Sequence, residues 1–275
     1  MVRIVKRRTS GKIVESFEDR SGLFKGSPQR SLVKMLKKSS GRDNKGRISV
    51  RHRGGGSKRL YRVISELGSL GEEIKILRIE YDPYRSARIA LVELKNGQKK
   101  YILAAENMKP NQTISMGEDV QAENFDRAKL KNIPVGSQVF DVQFYPQSKK
   151  YLARAAGSSA TLMALEGDCA LLRLPSGEQR KVNKESFASI GQASNQEHSN
   201  IVLGKAGRVR KMGIRPTVRG KAMHPKAHPH GGGEGVNPIG LKYPKTPWGK
   251  VAMGKRTRRN NNSGKYIIKR RAAKR

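Results

Sequence analysis

His224, His228 and His230 lie within seven residues of one another, and Glu234 follows four residues later, in the stretch RPTVRGKAMHPKAHPHGGGEG at 215–235. Four such donors are enough for a zinc ion, and a histidine next to a carboxylate is the raw material of general-base catalysis. The spacing favours neither. His224 and His228 are i, i+4, a pair that serves a metal on one helix face, yet Pro225 and Pro229 disfavour the helix. The chain has no HExxH, no cysteine pair and no G-x-S-x-G elbow. Cys169, the single cysteine, falls in the apolar run DCALLRL, where a buried strand residue is expected. Neither an enzyme nor a metal site is expected, and no cofactor beyond Mg2+ carried by an RNA partner.

An RNA-facing segment makes better use of the same residues. Gly231, Gly232 and Gly233 lack Cβ atoms, so their backbone can approach phosphate or sugar closely. His228 and His230 can stack on bases or donate to phosphate oxygens, and Arg215 and Arg219 can fork onto phosphates. A counterpart lies upstream in GRISVRHRGGGSKRLYR at 46–62, which combines Arg47, Arg51, His52 and Arg53 with a second triplet, Gly54, Gly55 and Gly56. Lys58, Arg59 and Arg62 follow it. The GGGSK within it lacks the G-x-x-x-x-G-K-[ST] spacing of a nucleotide-hydrolysing loop.

The elements that must position these segments are visible in the charge. Residues 1–62 carry 19 Lys and Arg against 4 acids, residues 63–203 carry 18 against 17, and residues 204–275 carry 21 against 1. The net +36 therefore sits at the two ends, around a nearly neutral centre. Such a charge calls for a polyanion, and with no apolar run near the roughly 18 residues of a spanning helix, nucleic acid is expected over membrane. The basic N-terminus lacks an apolar stretch, so secretion is not expected, while a short organellar presequence stays open.

The centre has the pattern of strands. In EEIKILRIEYDP, Ile74, Ile76, Ile79 and Tyr81 are spaced in twos with one slip at Leu77 and Arg78, which predicts a bulged strand. Asn96-Gly97 between two β-rich runs predicts a tight hairpin. Phe140, Val142 and Phe144 alternate with polar residues, and ATLMALEGDCALLRLPSGEQRKV predicts three strands turning at Glu166-Gly167-Asp168 and Pro175-Ser176-Gly177. Short strands at this spacing point to small barrels, with a seam near 130–138. The best helix signal is SLVKMLKK at 31–38, with a turn near NKESFASI. The ends, rich in Gly and Pro, cannot offset an ordering cost of roughly 1–2 kcal/mol per residue by burying themselves, so alone they are expected to be disordered.

The run of segments GRDNKGRISVRHRGGGSKRLYR, EYDPYRSARIALV, NIPVGSQV, LRLPSGEQRKV, LGKAGRVR, GIRPTVRGKAMHPKAHPHGGGEG and TPWGK resembles the large-subunit ribosomal protein L-two family over nearly the full length. The resemblance implies a mainly β fold, an OB-like barrel followed by an SH3-like barrel, flanked by long basic irregular extensions. On that basis residues 1–62 and 204–275 are extensions, 63–128 the first barrel and 129–203 the second. It also implies large-subunit rRNA of the 23S type as partner, with other ribosomal proteins and the small subunit at the interface, no membrane and no homo-oligomer. The implied setting is a cytoplasmic ribosome or an organellar one. The implied roles are subunit association, tRNA placement and support of the peptidyl-transferase region. Matched segments add Arg85, Lys205, Arg208, Arg210, Lys211, Lys221 and Trp248 to the expected RNA contacts, and the basic C-terminal extension adds Lys255 and Arg258. The family usually has Asn at His224, an acid at Ala227 and His at Ser57. Without that acid His228 loses the partner a general base would want, so its implied role is RNA packing.

Overall fold

The computed structural model describes residues 2–5, 15–65, 72–117, 125–254 and 263–271. The chain divides into two units, one of residues 1–37, 58–205 and 263–275, the other of residues 38–57 and 206–262.

The first unit is mainly β, and its strands follow from side-chain alternation. In Glu72–Glu80, Ile74 and Ile76 are fully buried, and pairing with Ile89–Glu93 slips between Ile76 and Arg78. The bulge expected there is present, and beyond it Ile79 packs against the same core. The expected hairpin joins Ile89–Glu93 to Lys99–Leu103: Gly97 takes φ +75° and donates its N–H to Leu94 O, while Asn96 Oδ1 accepts the Gln98 N–H. Gly167 (φ +52°) and Gly177 (φ +82°) turn the predicted three-strand run in the same way.

These strands belong to one sheet of eleven. Its first part runs Ile267–Lys269, Gln179–Asn183, Cys169–Arg173, Ala160–Glu166, Gln138–Phe140 and Phe187–Ile190. It continues through Arg127–Lys129, Thr113–Met116, Glu72–Glu80 and Ile89–Glu93 to Lys99–Leu103. One half closes on Ile74, Ile76, Val92, Ile102 and Ile114, the other on Leu130, Val139, Leu162, Leu172 and Val182. Gln138–Phe140 feeds both cores, since neighbouring side chains on a strand face opposite ways: Phe140 enters the first and Val139 the second. This is an OB-like half followed by an SH3-like half.

Three local expectations are corrected. Residues 31–38 are not a helix: Arg30–Leu32 is a single 3-10 turn, and Val33–Met35 pairs antiparallel with Leu60–Arg62. Tertiary partners override the helical spacing, because the Gln29 N–H donates to Tyr101 Oη and Leu32 packs on Ile89, Leu91 and Tyr101. The alternation at Phe140, Val142 and Phe144 is interrupted at Asp141 (φ +48°), whose carboxylate meets Arg127 Nη1 at 3.0 Å and Arg154 Nε at 2.7 Å. Cys169 opens its strand beside the Gly167 turn and is half-buried. The segment near 183–190 is a turn, with the Ser186 N–H on Asn183 O, followed by the strand Phe187–Ile190.

Among its described residues the second unit has one regular element, the helix Ala206–Lys211, and short turns. Among the described residues no helix is long and apolar enough to cross a membrane.

Candidate nucleic-acid interface

The second unit is built around a crossing of two distant segments. The Gly54 N–H donates to Gly213 O (3.0 Å), the Ser57 N–H to Lys211 O (2.9 Å) and the Arg215 N–H to His52 O (3.0 Å). His52, at φ +59°, adds a side-chain bond, its Nδ1–H donating to Pro216 O at 3.0 Å. Glycine is required at position 56: φ is +78°, and a Cβ there would stand 3.0 Å from Gly213 Cα and 3.1 Å from Lys211 O. Lys38 Nζ donates to Gly56 O and Ser57 O, fixing the carbonyl side of the same loop.

The helix that supplies Gly213 stops where its sequence says it should. Gly213, at φ +92°, donates to Arg210 O, and the Ile214 N–H donates to Val209 O, the paired bonds of a Schellman motif. Arg208, Arg210 and Lys211 lie in the helix's last turn, next to its partly negative end.

The histidine stretch closes on itself. His228 is 8% exposed, the single buried residue of this unit among those described. Its ring lies against Gly220, where an added Cβ would come within 2.5 Å of ring atom Cε1. His228 Nδ1 accepts the His230 N–H (3.0 Å), His230 Nε2 accepts the Lys245 N–H (2.9 Å) and His224 Nδ1 accepts the Lys226 N–H (3.2 Å). Each ring thus caps backbone that lacks a helical or sheet partner, and each carries its proton on the other nitrogen. Gly231 and Gly232 donate their amides inward, to His228 O and Met223 O. Gly231 also abuts the His224 carbonyl, which a Cβ would meet at 2.5 Å. The glycines therefore permit close packing of the chain on itself. Gly233 takes φ +71° and is exposed.

Trp248 stands at the tip of a hairpin. The Thr246 N–H donates to Lys250 O (2.7 Å), the Gly249 N–H to Thr246 O (2.9 Å), and Lys245 bridges Val251. The ring is 71% exposed, and the Arg51 guanidinium carbon lies 5.1 Å from its centroid. A flat aromatic face beside a planar cation is the geometry on which an unpaired base stacks.

The remaining candidates are spread more widely. Arg47, Arg53, Arg215 and Arg219 are exposed in the second unit, and Lys221 is half-buried there. Lys58, Arg59, Arg62, Arg85 and Lys205 belong to the first unit. Of these Arg85 is the most engaged, ion-paired with Asp82 and donating to Tyr61 Oη and Arg62 O. Arg59 Nη1 donates to Pro83 O, Arg62 Nη1 to Leu60 O, and Lys205 pairs with Glu15 at 3.5 Å. Lys255 and Arg258 lie outside the described residues. Among the described residues no group of three or more His, Cys, Asp or Glu is placed to hold a metal ion.

Sequence reasoning missed Lys38, Gly213 and Gly220. Gly213 had a readable signal, a glycine directly after a short basic helix; Lys38 and Gly220 had none, since their role depends on where distant chain arrives.

By sequence, the second unit holds 20 Lys and Arg against Asp43 and Glu234. Asp43 is turned to a local task, its Oδ1 accepting the N–H groups of Lys45 and Arg47. Compared with known families, residues 29–116 match the model described as Ribosomal Proteins L2, RNA binding N-terminal domain. Residues 126–249 match Ribosomal Proteins L2, C-terminal domain.

Proposed function

The chain belongs to the ribosomal protein L2 family, structural RNA-binding proteins of the large ribosomal subunit, and from that premise we propose how it acts there. The partner is large-subunit rRNA of the 23S type. The second unit, with the basic segments that flank it in sequence, lies against the RNA, and the barrels help to orient the protein on it. Its contribution is architectural: it supports subunit association, tRNA placement and the peptidyl-transferase region, next to other ribosomal proteins, on a cytoplasmic ribosome or an organellar one. His228 is given a packing role in this reading, since its ring is buried against Gly220 and its Nδ1 accepts the His230 amide. Magnesium enters with the RNA phosphates.

One observation carries the proposal. A unit with a net charge of +18 has a backbone frame of glycine turns and histidine caps but one buried side chain among its described residues, a histidine. Such a unit has little apolar burial to offset ordering, and counterion release from a polyanion has the size and sign to supply the difference.

Binding of the full-length protein to deproteinised large-subunit rRNA tests this. The log–log salt slope should be roughly −0.7 to −0.9 per phosphate neutralised, and replacing Arg215 and Arg219 together by Ala should flatten it by about two contacts. In lysates the protein should sediment with large subunits. A salt-independent affinity, or a dominant pool of free protein, overturns the proposal.

A further inference from the structure

A second basic cleft lies on the first unit, outside the glycine-rich interface, and several of its residues precede the region matched by the family model. The loop 19–26 forms one wall. Asp19 caps it, its carboxylate oxygens accepting the Ser21 N–H and Oγ–H. Those bonds hold the Asp19 carboxyl below its usual range. Leu23 is buried and the Phe24 N–H donates to Ile79 O at 2.9 Å, so the loop is fastened to the strand Glu72–Glu80. Arg20, Phe24, Lys25, Arg62 and Tyr81 line a cleft of about 300 Å³.

Its chemistry is specific in two respects. Both aromatic rings are already paired with planar cations: Arg20 lies 3.6 Å from the Tyr81 centroid and Arg78 3.9 Å from that of Phe24. Among the residues that line the cleft the one acid is Glu80, neutralised from behind, its Oε1 accepting from Arg78 Nε (2.7 Å) and its Oε2 from Tyr101 Oη (2.9 Å). Arg20 is half-exposed, and among the described residues its ion partner is Glu18, at a loose 3.7 Å. Gly26 is what lets Phe24 stand there, since a Cβ on Gly26 would come within 2.3 Å of the ring. The cleft thus offers stacking planes together with uncompensated positive charge, the complement of a base joined to a phosphate.

We propose that this cleft receives one unstacked nucleotide of the RNA, its base on the Arg20–Tyr81 stack or against Phe24 and its phosphate on Lys25 and Arg62. The assignment rests on the RNA-binding function proposed above and adds a site on the barrel for an unpaired nucleotide. Phosphate contacts position the protein on the RNA, whereas a base held in a cleft identifies a place where the RNA is single-stranded.

The test uses the full-length protein and deproteinised large-subunit rRNA. Phe24→Ala, at a half-exposed position, and Lys25→Glu, at an exposed one, should each weaken binding by about tenfold. Ultraviolet irradiation should cross-link Phe24 or Tyr81 to an unpaired nucleotide. Affinities within twofold of wild type together with no cross-link in residues 20–26 or at Tyr81 would overturn the proposal. Arg215→Ala/Arg219→Ala is measured in parallel: if that variant binds normally while the cleft variants do not, the reading of the second unit fails and the cleft stands. Free adenosine and uridine 5′-monophosphates separate the two sources of a nucleotide. No saturation at millimolar concentration supports RNA, and saturation at micromolar concentration would assign the cleft to a free nucleotide and sink the proposal.

Discussion

The two units carry the same net charge, +18, but the first distributes it over 198 residues and the second over 77. Their means of holding a shape differ more. The barrels bury Ile74, Ile76, Phe140, Leu162, Leu172 and many others completely, each such side chain contributing about 1.5–3 kcal/mol. Their cations also meet acids, as where Lys129 and Lys131 bind Glu185 and hold its carboxyl below the usual range. In the second unit the described hydrophobic residues are exposed or at most half-buried, Val236 and Trp248 among the most open, and its polar bonds are mainly local turns and caps. A core gives a barrel its shape in isolation; a frame of turns specifies a shape without the energy to hold it against its own repulsion. The same charge is therefore incidental to one unit's folding and decisive for the other's.

The widest separation should appear in amide hydrogen exchange of the RNA-free protein. Amides of Ile74, Val92 and Leu172 exchange only through global opening, which for a domain costs about 5–15 kcal/mol, so protection factors of about a thousand or more are expected. Amides of Gly54, Ser57 and Gly231 should show protection of about tenfold or less, rising sharply when rRNA is added. Equal protection in both units without RNA would abolish the contrast.

A sharper version compares two glycines of similar φ. Gly97→Ala (φ +75°) meets open space and should cost the barrel about 1 kcal/mol in a urea melt, with rRNA affinity unchanged. Gly56→Ala (φ +78°) forces Gly213 and Lys211 away and should leave the melt within about 0.5 kcal/mol while lowering rRNA affinity several-fold. If Gly56→Ala shifts the melt as Gly97→Ala does, the two units are not energetically independent.

The smallest effect is confined to the barrel and to alkaline solution. Burial, with a hydrogen bond to Glu80, pushes the Tyr101 phenol up to about 12. The folded state then keeps a proton that the unfolded chain releases near 10, so this contribution is complete below pH 10 and is lost as pH rises from 10 toward 12. Tyr101→Phe should flatten the fall in melting temperature across that window. An unchanged slope would show that Tyr101 is not the group responsible.

Much of the barrel was legible in the sequence because its determinants are local. Asn96-Gly97 names its turn, and the slip at Leu77 and Arg78 marks the bulge. The charge partition marks cationic ends around a balanced centre, while the compact units follow a different division, with residues 1–37, 58–62 and 263–275 in the first unit. Residues 31–38 misled because Leu32 packs on Ile89, Leu91 and Tyr101 and Val33 pairs with Arg62, partners distant in sequence which periodicity does not encode. In the candidate interface, residue type pointed to the right segments but not to their internal roles. His224, His228 and His230 resemble ligands in the sequence, and in the fold they cap backbone amides. The association of residues 54–57 with 211–213 is made by main-chain atoms, chiefly of glycines, and so has no side-chain signature to read.

That crossing also sets an order of events in the life of the chain. Residues 52–57 leave the site of synthesis more than 150 residues before their partners at 211–216 exist, so every strand of the large sheet except the edge strand Ile267–Lys269 is already made while the loop of three glycines still waits. The crossing exists only once residue 216 has been made. A chain abandoned before residue 211 would hold ten of the eleven strands of that sheet and none of the crossing.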